Sequence, residues 1–203
     1  MNNQLKNYYT NTYKLKLALW LLRTKMFYPK ARLIKFPFDI RSKRFISLGD
    51  NISIGAGCRL EAFSKDGSKT MHFGKNIQIN DYVHITSMLN VSIGDNVLMA
   101  GKIYISDCTH GDYANNSHTH TPASTIPAQR PYSVAPVLIG DNVWIGEGVC
   151  ILPGTTIGSG CIIGANAVVK GSFGDNLIIV GVPARAVKRY SCDSKRWEII
   201  PKA

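Results

Sequence analysis

The chain has 203 residues, with 24 Lys/Arg against 13 Asp/Glu and a formal net charge of +11. That length suits one domain with a sizeable core; no apolar run reaches the ~18 residues of a spanning helix, and the short run Leu17–Leu22 lacks the small-residue cleavage site of a signal peptide. Five cysteines without a CxxC spacing offer no disulfide framework, and their odd count fits a reducing, cytoplasmic setting.

The first element in chain order is basic. Residues 1–44 carry eleven Lys/Arg and one acid, Asp39, whereas residues 45–203 carry thirteen Lys/Arg and twelve acids. Within this segment Tyr13–Tyr28 reads as a helix, apolar around much of its circumference, with Lys14, Lys16, Arg23 and Lys25 interspersed. Two uses stay open: a cap over the exposed end of a solenoid, or a basic segment lying near an anionic membrane surface at the inner face of the membrane. No nucleic-acid motif accompanies the charge, and the rest of the chain is nearly neutral, so nucleic acid is not an expected partner.

From residue 45 onward a six-residue period takes over. Units open on Leu48, Ile54, Leu60, Phe73, Ile79, Ile85, Ile93, Met99, Ile105, Ile139, Ile145, Ile151, Ile157, Ile163 and Val169, all apolar. Gly follows many of them directly, as at Gly49, Gly74, Gly94, Gly140, Gly146 and Gly158. A helix face repeats near 3.6 and a strand face at 2, so neither gives this period; a coiled β-solenoid does. Three units make one triangular coil, and the openers group into about five coils spanning 45–190. Cys58 and Cys161 fall at inward positions, as small apolar residues. The expected class is all-β: a basic helical segment (1–44), a parallel β-helix (45–190) and a short helical tail (191–203).

The register breaks at three places. A polar stretch, Ser64–Lys69, separates Leu60 from Phe73; the unit opening at Ile85 is two residues too long; and 111–138 is an insertion rich in Asn, Ser, Thr, Pro and His. Long aperiodic loops on a rigid scaffold are commonly functional.

Four segments carry a family likeness: Ile79-Asn80-Asp81-Tyr82-Val83-His84-Ile85, Ile105-Ser106-Asp107-Cys108-Thr109-His110-Gly111, Ile139-Gly140-Asp141-Asn142-Val143-Trp144-Ile145-Gly146 and Gly181-Val182-Pro183-Ala184-Arg185. Through them the chain resembles the hexapeptide-repeat acyltransferases, in particular galactoside, maltose and bacterial surface-polysaccharide O-acetyltransferases. The resemblance covers roughly residues 73–190. It implies a left-handed coil, a homotrimer with sites between subunits, acetyl-CoA as co-substrate and a carbohydrate acceptor.

The same resemblance assigns roles. His110, closing its unit before the long loop, matches the family's general base; a neutral imidazole suits proton removal from a sugar hydroxyl. Asp107, three residues earlier, is a candidate to orient it. Asn80 aligns with an acceptor-binding Asn, though a turn role is equally open. His84 and Arg130 are further candidates for the acceptor side, whereas His118 and His120 read as solvated. On the donor side the likeness points to Trp144, Gly146, Glu147, Ala165 and Lys170 along the groove, with the Glu147 N–H as oxyanion donor. Arg185 and Lys188 would meet the phosphates. Two departures stand out: Glu147 replaces a common Ser, and Val169 replaces a Thr before the groove Lys. No metal-ligand spacing is visible. An N-acetyltransferase of an amino sugar, or a non-catalytic or metal-binding repeat protein, are the alternative readings.

Overall fold

The computed structural model describes residues 9–113 and 120–201. Its body is a three-sided prism of parallel strands. One face stacks the short strands at Leu33–Ile34, Ser53–Ile54, Gln78–Ile79, Leu98–Met99, Trp144–Ile145, Ile162–Ile163 and Leu177–Gly181; we call it face A. Face B runs from Phe38–Arg41 through Cys58–Ala62, His84–Ser87, Tyr104–Ser106 and Cys150–Ile151 to Val168–Val169. Face C runs from Ile46–Ser47 through Met71–Phe73, Val91–Ile93, Val137–Ile139 and Thr156–Ile157 to Ser172–Phe173.

The unit openers point inward as the period demands. Ile54, Ile79, Met99, Ile145 and Ile163 stack in register on face A, each 2% exposed or less. Fully burying one such side chain contributes about 1.5–3 kcal/mol, so the ladders supply most of the driving force. Cys58 and Cys161 sit in the same core. At the corner between faces C and A the chain needs positive φ, and Asn51, Asn76, Asn96 and Asn142 adopt it. Asn tolerates that conformation, and here Asn51, Asn76 and Asn96 each donate the side-chain amide to the next Asn at 2.8–3.1 Å, a ladder along one edge that ends on Asn142. Gly49 marks a close approach: a Cβ there would run into the carbonyl of Gly74 one coil away.

Three expectations need correction. The solenoid starts earlier than residue 45: Leu33–Ile34 and Phe38–Arg41 already pair with the next coil. Ile34 and Ile40 are six apart, but eight residues separate Ile40 from Leu48, which hides the first coil from a strict period. The prism therefore holds six complete coils and a final face-A strand, rather than five. The tail is not helical. Ala184–Ser191 folds back antiparallel on Leu177–Gly181, and Arg196–Ile199 pairs with it in turn. Alternating β-branched and aromatic residues (Val187, Tyr190, Trp197, Ile199) favour strand, and Lys195 turns the chain at φ 53.

Helix α1 spans Asn11–Phe27 and starts with Thr10, whose hydroxyl accepts from the Tyr13 N–H. Its side chain at Thr24 is fully buried. The Thr24 hydroxyl accepts from the Ile34 N–H at 2.9 Å and lies 3.2 Å from the Ile34 carbonyl. Those groups lie on the outer edge of the first strand, so Thr24 stands where another coil would otherwise bond. At this point the helix covers the open edge of the first strand. No helix among the described residues is long and apolar enough to cross a membrane.

Candidate active site

Every long interruption of the period falls on one edge, between faces B and C. There the chain carries the Ser64–Lys69 stretch, the long turn after Ser87 and the insertion after Ser106. The insertion leaves as an antiparallel hairpin arm, with Cys108 opposite Val134, Thr109 opposite Ser133 and His110 opposite Tyr132. His110 is exposed at the end of this arm, and its ring lies against that of Tyr132, centroids 4.6 Å apart. Gly111, at φ +98, turns the chain after it, and the Tyr113 hydroxyl donates to the His110 carbonyl at 2.8 Å. Between the three interruptions lies a pocket of about 430 Å³, walled by Phe63, Met88, Leu89, Tyr132 and Val134 and rimmed by Lys65, Asp66 and Ser68. On the rim the Ser68 and Ser64 side chains and the Ser68 N–H bond to Asp66 and hold its carboxyl down to about 2.

Asp107 does something other than orient His110. It is fully buried, and its carboxylate accepts from the backbone N–H groups of Met88 (2.8 Å), Leu89 (2.7 Å) and Asn90 (2.8 Å), with the Ser87 hydroxyl 3.0 Å away. The reason is topological: strand Tyr104–Ser106 stacks directly on His84–Ser87, so the residue after it lands under the turn after Ser87. Asp107 thereby fixes the wall of the pocket that Met88 and Leu89 provide. Arg130 is also used locally. Its guanidinium donates to the carbonyls of Thr125 and Ala123 and to the Tyr113 hydroxyl, bracing the insertion. His118 lies outside the described residues. His120 is exposed beside a separate cleft with Asp112 and Tyr132.

Asn80, Gly146, Glu147 and Ala165 all sit on a different edge, between faces A and B. Asn80 and Glu147 line one pocket of about 340 Å³ with Lys35, Asp81, Tyr82, Gly101 and Lys102. Tyr82, which the motif reading passed over, is 65% exposed and held at φ 61. This is the left-handed corner that Gly57, Lys102, Gly148 and Asn166 also adopt on this edge, and a bulky side chain is unusual there; its presence in the Asn-Asp-Tyr-Val-His motif was the available signal. Glu147 is not idle: its carboxylate accepts from the Gly101 N–H at 3.2 Å and pairs with Lys102 at 3.7 Å. Lys170, the supposed groove partner of Gly146, lies instead on the B–C edge below His110's arm, because it follows a face-B strand. Trp144 is exposed on the outside of face A. Arg185 and Lys188 are exposed on the strand Ala184–Ser191, joined by Arg189, so one eight-residue strand carries three cations.

His84 stands on the outer side of face B within a charge network. The buried Glu61 carboxylate takes Arg41 at 2.6 Å and Arg59 at 3.1 Å, with His84 Nε2 at 3.6 Å. The Thr86 hydroxyl lies 2.9 Å from that same nitrogen. Burial, and then the Arg59 charge, push the His84 imidazole below its usual value despite Glu61. The ring lies beside Tyr104, 5.4 Å between centroids. Sequence reasoning placed His84 near an acceptor but missed Glu61 and the two arginines, whose contact depends on stacking across coils. Among the described residues no group of His, Cys, Asp or Glu is arranged to hold a metal ion.

The comparisons with known proteins agree with this architecture. Residues 136–171 match the model of the bacterial transferase hexapeptide family (six repeats). The chain is 42% identical over 184 residues to the putative lipopolysaccharide biosynthesis O-acetyl transferase WbbJ of Escherichia coli K12, covering 91% of this chain and 92% of that one. It is 32% identical to the galactoside O-acetyltransferase of the same organism, over 63% of this chain and 58% of the relative. The fold is similar to that of AntD, an N-acyltransferase from Bacillus cereus solved with dTDP and 3-hydroxybutyryl-CoA. The TM-score is 0.64 at 22% identity, with 93% of each chain covered.

Proposed function

The chain belongs to the hexapeptide-repeat acyltransferases, and from that premise we propose that it moves an acetyl group from acetyl-CoA to a sugar hydroxyl of a bacterial surface polysaccharide or its precursor. It is an acyltransferase, as its relatives are; the acetyl donor, the hydroxyl acceptor and the residue roles are the proposal. One observation carries it: an exposed imidazole, His110, lies against the ring of Tyr132, and Tyr132 walls a pocket of sugar size whose walls are apolar and whose rim is polar. Apolar walls with a few convergent polar groups are what a small-molecule site requires.

In this reading the His110 imidazole removes the hydroxyl proton as the sugar oxygen bonds to the thioester carbonyl carbon. The Glu147 N–H stabilises the charge that develops on the carbonyl oxygen. Collapse breaks the carbon–sulfur bond, and His110 returns the proton to the departing thiolate. Transfer is direct in this reading; among the described residues no Cys or Ser is hydrogen-bonded to a His that could activate it. Arg185 and Lys188 would hold the phosphates, with Gly146, Ala165 and Lys170 along the pantetheine arm; the exposed cationic strand fits a polyanionic ligand.

A trimer of left-handed coils, which the family resemblance implies, is part of the proposal, and the split of the site residues between two edges supports a shared site. Within one chain His110 and Lys170 lie on the B–C edge, whereas Asn80, Gly146, Glu147 and Ala165 lie on the A–B edge. A single ligand reaches both sets when the B–C edge of one subunit faces the A–B edge of its neighbour. The outer rows beside that edge include the exposed Leu98, Trp144 and Tyr104, surface that a partner would cover. Asn80 and His84 then line the acceptor side, and the enzyme works in the cytoplasm on a lipid-linked or polymeric glycan.

The test is transfer of labelled acetyl from acetyl-CoA to a panel of glycans and amino sugars, read by mass. Ester formation on a hydroxyl supports the proposal. Amide formation alone would move the enzyme to N-acetylation, and a fully active monomer would remove the shared site.

A further inference from the structure

Helix α1 has two apolar stripes on opposite sides. Tyr13, Leu17, Trp20 and Thr24 recur at helical spacing and are the half-buried or buried positions, facing the solenoid. Leu15, Leu19, Leu22 and Met26 repeat the same spacing half a turn away. They are exposed by 64%, 58%, 64% and 68%, and Phe27 beside them by 56%. The first stripe faces the prism; the second stays exposed among the described residues.

The seams between the stripes are cationic. Lys14 and Lys25 border one side of the exposed stripe, and Lys16 and Arg23 the other. All four are exposed. Lys25 holds the carbonyls of Pro29 and Ala31, which closes the helix end, and Arg23 lies over the Phe36 ring at 3.9 Å. No acid occurs in the chain before Asp39. Pairing this stripe with the same stripe of a second copy would bring these cations together with no carboxylate to offset them. An anionic lipid surface satisfies both features at once: the stripe enters the acyl boundary, and the lysines reach back to the headgroups.

We propose that α1 is an interfacial membrane anchor, lying flat with Leu15, Leu19, Leu22 and Met26 in an anionic leaflet while Tyr13, Leu17, Trp20 and Thr24 keep it on the solenoid. This stands independently of the acetylation reading. If that reading also holds, the anchor brings the enzyme to a lipid-linked acceptor.

The experiment is co-sedimentation of the full chain with vesicles of phosphatidylglycerol and phosphatidylcholine, at low and high salt. Wild-type protein binds at low salt and retains a salt-resistant fraction. The double variant Leu19→Gln/Leu22→Gln loses that fraction, with binding at least about tenfold weaker from the lost apolar burial. The double variant Lys14→Gln/Lys16→Gln loses the preference for phosphatidylglycerol. At about fivefold per charge, that is roughly 25-fold in partitioning. Light scattering and thermal melting accompany both variants, and unchanged mass and melting confirm that the prism is intact. Failure of the wild type to bind anionic vesicles at low salt overturns the proposal. So does undiminished binding by the leucine variant. A drop in oligomer mass in that variant assigns the stripe to a second copy and overturns it equally. No arm needs an acceptor sugar, so a failed transfer assay leaves the result readable.

Discussion

Asp107 offers the sharpest test of what lies behind His110. Its carboxylate accepts three backbone N–H bonds, from Met88, Leu89 and Asn90, in a site with no solvent exposure. Asp107→Ala leaves those donors without a partner. Each unmet donor costs roughly 1–3 kcal/mol. The 88–90 turn is part-exposed and can relax toward water, so the low end applies, about 3–5 kcal/mol in all. For a chain of this size that lowers the melting temperature by roughly 6–20 °C. Asp107→Asn keeps one acceptor oxygen but aims an amide at the remaining donors, and should lose about half as much. Thermal melting by circular dichroism reads the stability. Steady-state assays well below the midpoint read catalysis. Because Met88 and Leu89 wall the pocket, the Asn variant should raise KM for the acceptor while kcat and its pH profile stay close to wild type. Unchanged melting together with a kcat loss on the order of 100-fold, the size of a general-base contribution, would refute this and return Asp107 to the reaction.

Three further outcomes are expected. His110→Ala should lose on the order of 100-fold or more in kcat while calorimetry shows coenzyme A binding retained; near-normal turnover removes His110 from the mechanism. Arg185→Ala should raise KM for acetyl-CoA far more than KM for the sugar, by about 1.5–3 kcal/mol for one charge-assisted phosphate contact; equal effects on both substrates would contradict a phosphate role. His84 gives a pH dependence. Its folded pKa lies below the ordinary 6.5, because burial and Arg59 disfavour the charged ring, so the unfolded chain takes up the proton first. The stability it contributes is present above about 6.5 and is lost as pH falls through the folded value. Melting of the wild type across that window should fall more steeply with acid than melting of His84→Gln, and parallel curves would count against the assignment.

Much of the fold was legible because a six-residue period admits few physical solutions. The inward residues followed directly: Ile54, Ile79 and Ile145 are buried where the register puts them. What escaped lay where the period lapses. The first coil was hidden by the longer step from Ile40 to Leu48, and the C-terminal hairpin belongs to face A only through antiparallel pairing that no repeat encodes. Tertiary partners were equally invisible. Asp107 resembles a catalytic orienter because it sits three residues from His110, yet its bonding partners lie seventeen to nineteen residues back, one coil away. Glu61 and Arg59 meet His84 by the same stacking.

Stacking also bears on how the site must be assembled, and here the sequence held more than a residue-by-residue reading extracts. Three units of six make a coil of about 18 residues, so residues separated by one coil share an edge. Gly146 and Gly164 are 18 apart and both follow face-A strands. Lys170 is 24 beyond Gly146, one unit out of phase, and so belongs to the next edge. His110 lies on that next edge too, at the root of the insertion. A ligand that needs Gly146, Ala165 and Lys170 together cannot find them on one edge of one prism. The rigid core excludes a rearrangement that would bring them there, since every inward ladder would have to slip by a unit. If the proposed roles hold, the split itself requires a second chain, and mixing supplies the decisive measurement. His110→Ala subunits and Glu147→Pro subunits, each inactive alone, should regain activity when reassembled together, because some interfaces would then join an intact B–C edge to an intact A–B edge. Absence of any complementation in mixed oligomers of verified composition would mean that each chain works alone, and that the assignment of donor residues to the A–B edge is wrong.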